Sequence, residues 1–149
     1  MLNFAYHNPV RLVFGRGAEN EAGRLAETVA RTHKCLVVYG GGSVKKNGAY
    51  DAVTASLAQA ELPYVELSGI QANPRSGKVY EGIELCRKEG VDFLLALGGG
   101  SVIDTAKAIG MGVGYDGDFW DFFTGKAPIT TSLPVGTVLT ISAAGSEGS

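Results

Sequence analysis

Short unbroken apolar runs alternate along this chain with stretches whose apolar residues recur every three or four positions. The runs are Cys35-Leu36-Val37-Val38-Tyr39, Tyr64-Val65-Glu66-Leu67, Phe93-Leu94-Leu95-Ala96-Leu97 and a last one near Pro134, from Val135 to Ile141. Runs of four to eight apolar residues bounded by Gly or Pro read as strands buried on both faces. Between them, Tyr50, Val53 and Leu57, then Val79, Ile83 and Cys86, then Val102, Ile103, Ala106, Ile109 and Val113 each mark one face of a helix. Upstream, Ala18, Ala22, Leu25 and Val29 mark another, and Pro9 splits residues 3–14 into two extended pieces. A proline there predicts an edge strand or hairpin, since it cannot donate to a ladder on both sides. Pro63 is expected to stop the helix of Leu57, and Gly90 to close that of Cys86.

The first three buried strands follow one another at close to the roughly 30 residues of a strand–helix–strand unit. The chain therefore reads as one doubly wound, Rossmann-like α/β domain over residues 1–149, with a mostly parallel sheet and an N-terminal edge strand or hairpin. Two strands run into nearly identical turns: Tyr39 into Gly40-Gly41-Gly42-Ser43-Val44, and Leu97 into Gly98-Gly99-Gly100-Ser101-Val102. Right-handed crossovers put both turns at the carboxyl edge of the sheet, where open α/β sheets bind their ligands. A glycine-rich turn opening a helix exposes backbone N–H groups at a positive helix end, and a phosphate or pyrophosphate suits it. Ser101 followed by Asp104 is also a capping pattern, so Ser101 is expected at the N-cap.

Composition narrows the classes. A formal charge of −2 across 149 residues leaves no basic footprint for nucleic acid or an anionic membrane. No apolar run approaches a membrane span and the N-terminus lacks a leader pattern, so a cytoplasmic protein is expected. The two cysteines, Cys35 and Cys86, each sit in an apolar element and read as reduced core thiols. Neither glycine run reads G-x-G-x-x-G, and no P-loop sequence occurs, which disfavours an ordinary dinucleotide fingerprint and an NTPase. The segment Tyr115-Asp116-Gly117-Asp118-Phe119-Trp120-Asp121-Phe122-Phe123 reads as a surface loop tucking its rings against the sheet.

The run Gly98-Gly99-Gly100-Ser101-Val102-Ile103-Asp104-Thr105-Ala106-Lys107 resembles the G-G-G-S-x-x-D-x-A-K signature of the iron-containing (group III) alcohol dehydrogenases. Supporting matches run along the chain: Pro9 to Phe14 with Gly15 and Gly17, Tyr39 to Lys46, Asn73-Pro74, and Gly145-Ser146-Glu147. Tyr39 to Lys46 is most similar to the butanol dehydrogenase and NADPH-dependent aldehyde reductase branch. The resemblance implies a dehydroquinate synthase-like N-terminal domain in which Gly98, Gly99, Gly100 and Ser101 cradle the pyrophosphate. Asp104 would then lie by the ribose and nicotinamide, Asn73 near the adenosine, and Thr140 with its neighbours, Ser142 among them, along the pyrophosphate and nicotinamide pocket. One departure is Ala144, where the family usually has a threonine.

Cofactor choice turns on the first glycine run. Family members preferring NAD tend to carry an aspartate where this chain has Gly40. Here that position is neutral, Gly42 and Ser43 can offer donors, and Lys45 and Lys46 follow, so NADP(H) is expected over NAD(H). The resemblance further implies hydride exchange with a primary alcohol/aldehyde pair, assisted by Fe²⁺ or another divalent ion on one aspartate and three histidines. Only His7 and His33 are available, both read as surface or capping residues, so neither a catalytic nor a metal-binding residue is assigned. The chain is thus expected to be the cofactor-binding half of such an enzyme, inactive alone, with the metal in a helical second domain absent from this chain. The resemblance also implies dimerisation through the N-terminal strands. The open alternatives are a glycerol dehydrogenase- or dehydroquinate synthase-like relative and a non-catalytic nucleotide-binding module.

Overall fold

A computed structural model of the chain describes residues 18–28, 32–71, 76–126 and 132–139. The expected N-terminal edge strand, and with it His7, lies outside these residues. Four strands, β1 (Cys35–Tyr39), β2 (Tyr64–Leu67), β3 (Phe93–Gly98) and β4 (Val135–Leu139), form a parallel sheet in the order β2-β1-β3-β4. Each of the four buried runs forms a strand, β4 being described as far as Leu139. Cys35 pairs with Tyr64 on one side and Phe93 on the other, and Leu94 pairs with Val135.

Because side chains alternate along a strand, the buried runs feed two cores. Cys35, Val37, Tyr39, Phe93, Leu95 and Leu97 face α1 (Ala22–Thr28) and α3 (Ala49–Gln59), meeting Ala22, Ala26, Val53 and Leu57. Leu36, Val38, Leu94 and Ala96 face α4 (Ser76–Glu89) and α5 (Gly100–Val113), meeting Val79, Ile83, Cys86, Ile103, Ala106 and Ile109. At about 1.5–3 kcal/mol for each fully buried branched or aromatic side chain, these two layers hold the sheet. The helices α4 and α5 approach closely through reciprocal contacts. A Cβ on Gly82 of α4 would collide with Ile109 Cδ1, and one on Gly112 of α5 with Ile83 Cδ1. Cys35 and Cys86 are free and buried on opposite faces, and burial pushes both thiols up to about 12.

Three details differ from expectation. The helix expected after the first glycine turn is broken into α2 (Ser43–Lys46) and α3, because Gly48 takes a left-handed conformation at φ 85° and Asn47 Oδ1 accepts the Ala49 N–H. The stop of α3 comes at Ala60 and Glu61, the latter at φ 57°, before Pro63 is reached. The rings of Tyr115 to Phe122 pack on the helices, with Phe119 against Tyr80 of α4 and near Gly112 of α5, since α4 and α5 already cover that face of the sheet. Its last turn, α6 (Trp120–Phe123), leaves Trp120 47% exposed.

The amino edge is closed by polar groups. Asp92 accepts the backbone N–H groups of His33 and Lys34 and contacts His33 Nδ1, and Lys34 pairs with Glu89 at 2.8 Å. Burial pushes the Asp92 carboxyl up, but these donors more than offset it and hold it below the ordinary aspartate value. His33 therefore belongs to the edge opposite the glycine turns.

Candidate functional site

Both glycine turns leave the carboxyl edge of the two central strands. In the β1–β3 register Tyr39 lies beside Leu97, which brings Gly40 level with Gly98. From β1 the chain passes to α3 on one face, and from β3 to α5 on the other. The crevice between the turns is thus the point where the winding reverses, the usual binding position in open α/β sheets.

The glycines are not equivalent. Gly98 has φ 140°, where a side chain is strained, and its Cβ would sit 3.1 Å from Val102 Cγ2. Gly40 has a packing role: a Cβ there would lie 2.9 Å from the Ile70 carbonyl oxygen, because the loop after β2 crosses behind the turn. That loop is tied by Gly69 N–H to Gly40 O (2.7 Å) and Ile70 N–H to Tyr39 O (3.4 Å). Gly41, Gly42 and Gly99 are different. A Cβ at any of them meets nothing within 4 Å, so each opens onto free space a bound group could fill.

Helix α5 starts at Gly100 with Gly99, extended at φ −98° and ψ −165°, as its N-cap and no side-chain cap. This corrects the expectation of Ser101 at the N-cap: the third glycine is already helical and puts Ser101 inside the first turn. The first intrahelical bond runs from Ile103 N–H to Gly99 O at 3.2 Å, so the amides of the preceding residues are those at the positive end of the helix. Thr105 Oγ1 donates back to Ser101 O, and Asp104 is exposed at the start of the second turn. Gly40, Gly42, Ser43, Gly98, Gly99, Gly100, Ser101 and Asp104 therefore gather along one edge. Asn73, Thr140, Ser142 and Ala144 lie outside the described residues.

A side-chain cluster beside the first turn joins Lys45, which the sequence already linked to the cofactor phosphate, to three residues given no site role there: Tyr39, Tyr50 and Glu66. Tyr39 Oη donates to Glu66 Oε2 at 3.0 Å, and Tyr50 Oη to Glu66 Oε1. The two rings meet edge-on with centroids 5.5 Å apart, and Lys45 Nζ lies over both, 5.6 Å from the Tyr39 centroid and 4.9 Å from that of Tyr50. Burial and then the Glu66 bond raise the Tyr39 hydroxyl pKa. For Tyr50 the Glu66 bond comes first, so both phenols remain donors. The one available signal was Glu66, a charge inside a short apolar strand.

Among the described residues, no three His, Cys, Asp or Glu side chains converge as a metal site, and no helix is long and apolar enough to cross a membrane. The open glycines and the helix end fit a dinucleotide. The family profile of the iron-containing alcohol dehydrogenases matches residues 9–149. The chain belongs to that family. It is similar to a probable NADH-dependent butanol dehydrogenase of Bacillus subtilis, 52% identical over 99% of this chain and 37% of the relative. It is also similar to an NADPH-dependent aldehyde reductase of Escherichia coli, 40% identical over 99% of this chain and 38% of that protein. Among solved structures, an NADH-dependent butanol dehydrogenase of Thermotoga maritima superposes with a TM-score of 0.92 at 49% identity, over 96% of this chain and 36% of that one. The chain thus spans little more than a third of these relatives. Its fold is that of the iron-containing alcohol dehydrogenases, a family of oxidoreductases whose relatives named here are NADH- or NADPH-dependent.

Proposed function

We propose that this chain, as a single domain, is the cofactor-binding part of a metal-dependent alcohol dehydrogenase that exchanges hydride between NADP(H) and a primary alcohol/aldehyde pair. The observation that carries the reading is the pair of glycine turns at the reversal point, with open room above Gly41, Gly42 and Gly99. When bound, the nicotinamide ring supplies the hydride. This chain's residues hold and orient. The amides at the start of α5 and the open Gly99 would hold the pyrophosphate, and Asp104 would offer a carboxylate to the ribose. By the resemblance, Asn73 would serve the adenosine end and Thr140 and Ser142 the nicotinamide.

The phosphorylated cofactor is favoured by the neutral first turn and by Lys45, already held beside it. The packing of Gly40 against the Ile70 carbonyl gives its neutrality a second reason, so Lys45 now carries more of the argument. The divalent ion falls to residues outside those described, in the length that the relatives have beyond this match.

The reading is tested by following NADPH consumption with butanal and Fe²⁺. The chain alone is expected to bind NADPH without consuming it. The same chain continued by the remaining two thirds of its Bacillus relative is expected to turn over. Turnover by the chain alone, or none by the joined protein that binds NADPH, would contradict the proposal.

A further inference from the structure

Glu66 is the exposed position of the edge strand β2, where a charge is ordinary, but here its side chain is engaged. Its two carboxylate oxygens take one phenol each, from the end of β1 and the first turn of α3. This fixes the edge-on pair of Tyr39 and Tyr50, and hydrogen bonding to a carboxylate enriches both ring faces in electron density. Over those faces sits the Lys45 ammonium, whose backbone N–H is tied to the Gly42 carbonyl at 3.1 Å. An exposed lysine otherwise samples many rotamers. Here one is held beside the first glycine turn by groups from three elements.

We propose that Glu66, acting through Tyr39 and Tyr50, is the positioning residue that holds Lys45 as the cation selecting a dinucleotide that bears a 2′-phosphate. The inference rests on the nucleotide reading above and adds to it a selectivity residue on β2, outside both glycine turns. The two cofactors share their pyrophosphate, so an added cation beside the first turn separates them only through the extra phosphate. Glu66 also carries a negative charge, and the two roles have opposite signs. If it positions Lys45, removing it weakens NADPH. If it merely repels anions, removing it strengthens NADPH.

The experiment is a titration of the chain with NADPH and with NADH at one fixed salt concentration, for the wild type, Lys45→Met, Glu66→Gln and the double variant, with a thermal melt of each. Lys45→Met is expected to weaken NADPH about 5- to 10-fold with NADH within about twofold, the loss of one charge-assisted contact at an exposed site. Glu66→Gln is expected to weaken NADPH about threefold, leave NADH unchanged, and add nothing in the Lys45→Met background. Tyr50→Phe, which keeps the ring and drops the tether, is expected to move the ratio the same way and preserves the test should Glu66→Gln fold poorly. An unchanged ratio, tighter NADPH binding, or an additive double variant overturns the proposal while leaving the nucleotide reading standing. A folded wild type that binds neither dinucleotide removes both, and one that binds them equally removes the selectivity claim.

Discussion

Replacing Gly99 by alanine separates binding from folding. Gly99 is extended at φ −98° and ψ −165°, a conformation alanine adopts freely, and the new methyl meets nothing within 4 Å. Two small terms act on stability. Alanine is a poorer N-cap than glycine by about 0.5–1 kcal/mol. It also reduces the freedom of the unfolded chain, which stabilises by about 0.4–1 kcal/mol. They nearly cancel, so the melting temperature is expected within about 3 °C of wild type, at roughly 2–4 °C per kcal/mol for a domain of this size. Binding should respond differently. The methyl stands in the space where a pyrophosphate would reach the α5 amides, and losing one hydrogen bond to a charged oxygen costs about 1.5–3 kcal/mol. That is an affinity loss of about 10- to 100-fold. Nicotinamide fluorescence titration read beside a thermal melt checks both halves. Wild-type affinity in a folded Gly99→Ala chain would refute the placement of the anion on this turn.

Gly98→Ala, one residue earlier, is expected to do the reverse and cost about 1–3 kcal/mol of stability in a denaturant titration, because φ 140° is strained for alanine. Gly112→Ala drives a methyl against Ile83 Cδ1, for about 1–3 kcal/mol of overpacking, and Ile83→Val in the same chain should recover part of it. The Asp92 carboxyl is held below its unfolded value, so its contribution is present above pH of about 4 and lost as pH falls through the folded pKa. Asp92→Asn should therefore cost roughly 1 kcal/mol at pH 7, a modest figure for a side chain 37% exposed, and flatten the fall of the melting temperature below about pH 4. With both thiols raised to about 12, Cys35 and Cys86 should stay unlabelled by a thiol reagent at pH 8 and react once the chain is denatured.

The sheet was legible because unbroken apolar runs such as Leu36 to Val38 and Phe93 to Leu97 can satisfy burial on both faces only between two helical layers. The repeated glycine turn was legible for a related reason: three glycines exceed what a reversal needs. What escaped depends on distance rather than pattern. Gly40 looks like its neighbours in the sequence, yet the Ile70 carbonyl thirty positions on is what excludes a side chain there. Tyr39, Lys45, Tyr50 and Glu66 come from four elements, and no periodicity relates them. The N-cap shifted from Ser101 to Gly99 because the backbone of Gly100 entered the helix early, a choice that local capping rules do not decide. Asn73, Thr140 and Ser142 were named from resemblance and lie outside the described residues.

The central claim is that this chain binds a nicotinamide dinucleotide at its paired glycine turns and prefers the phosphorylated form. Titrating the folded chain with NADPH and then NADH at one salt concentration, read by nicotinamide fluorescence, tests it most directly. Saturable binding that is clearly tighter for NADPH is the expected result. No saturable binding of either, in a chain with a cooperative melt, would contradict the account.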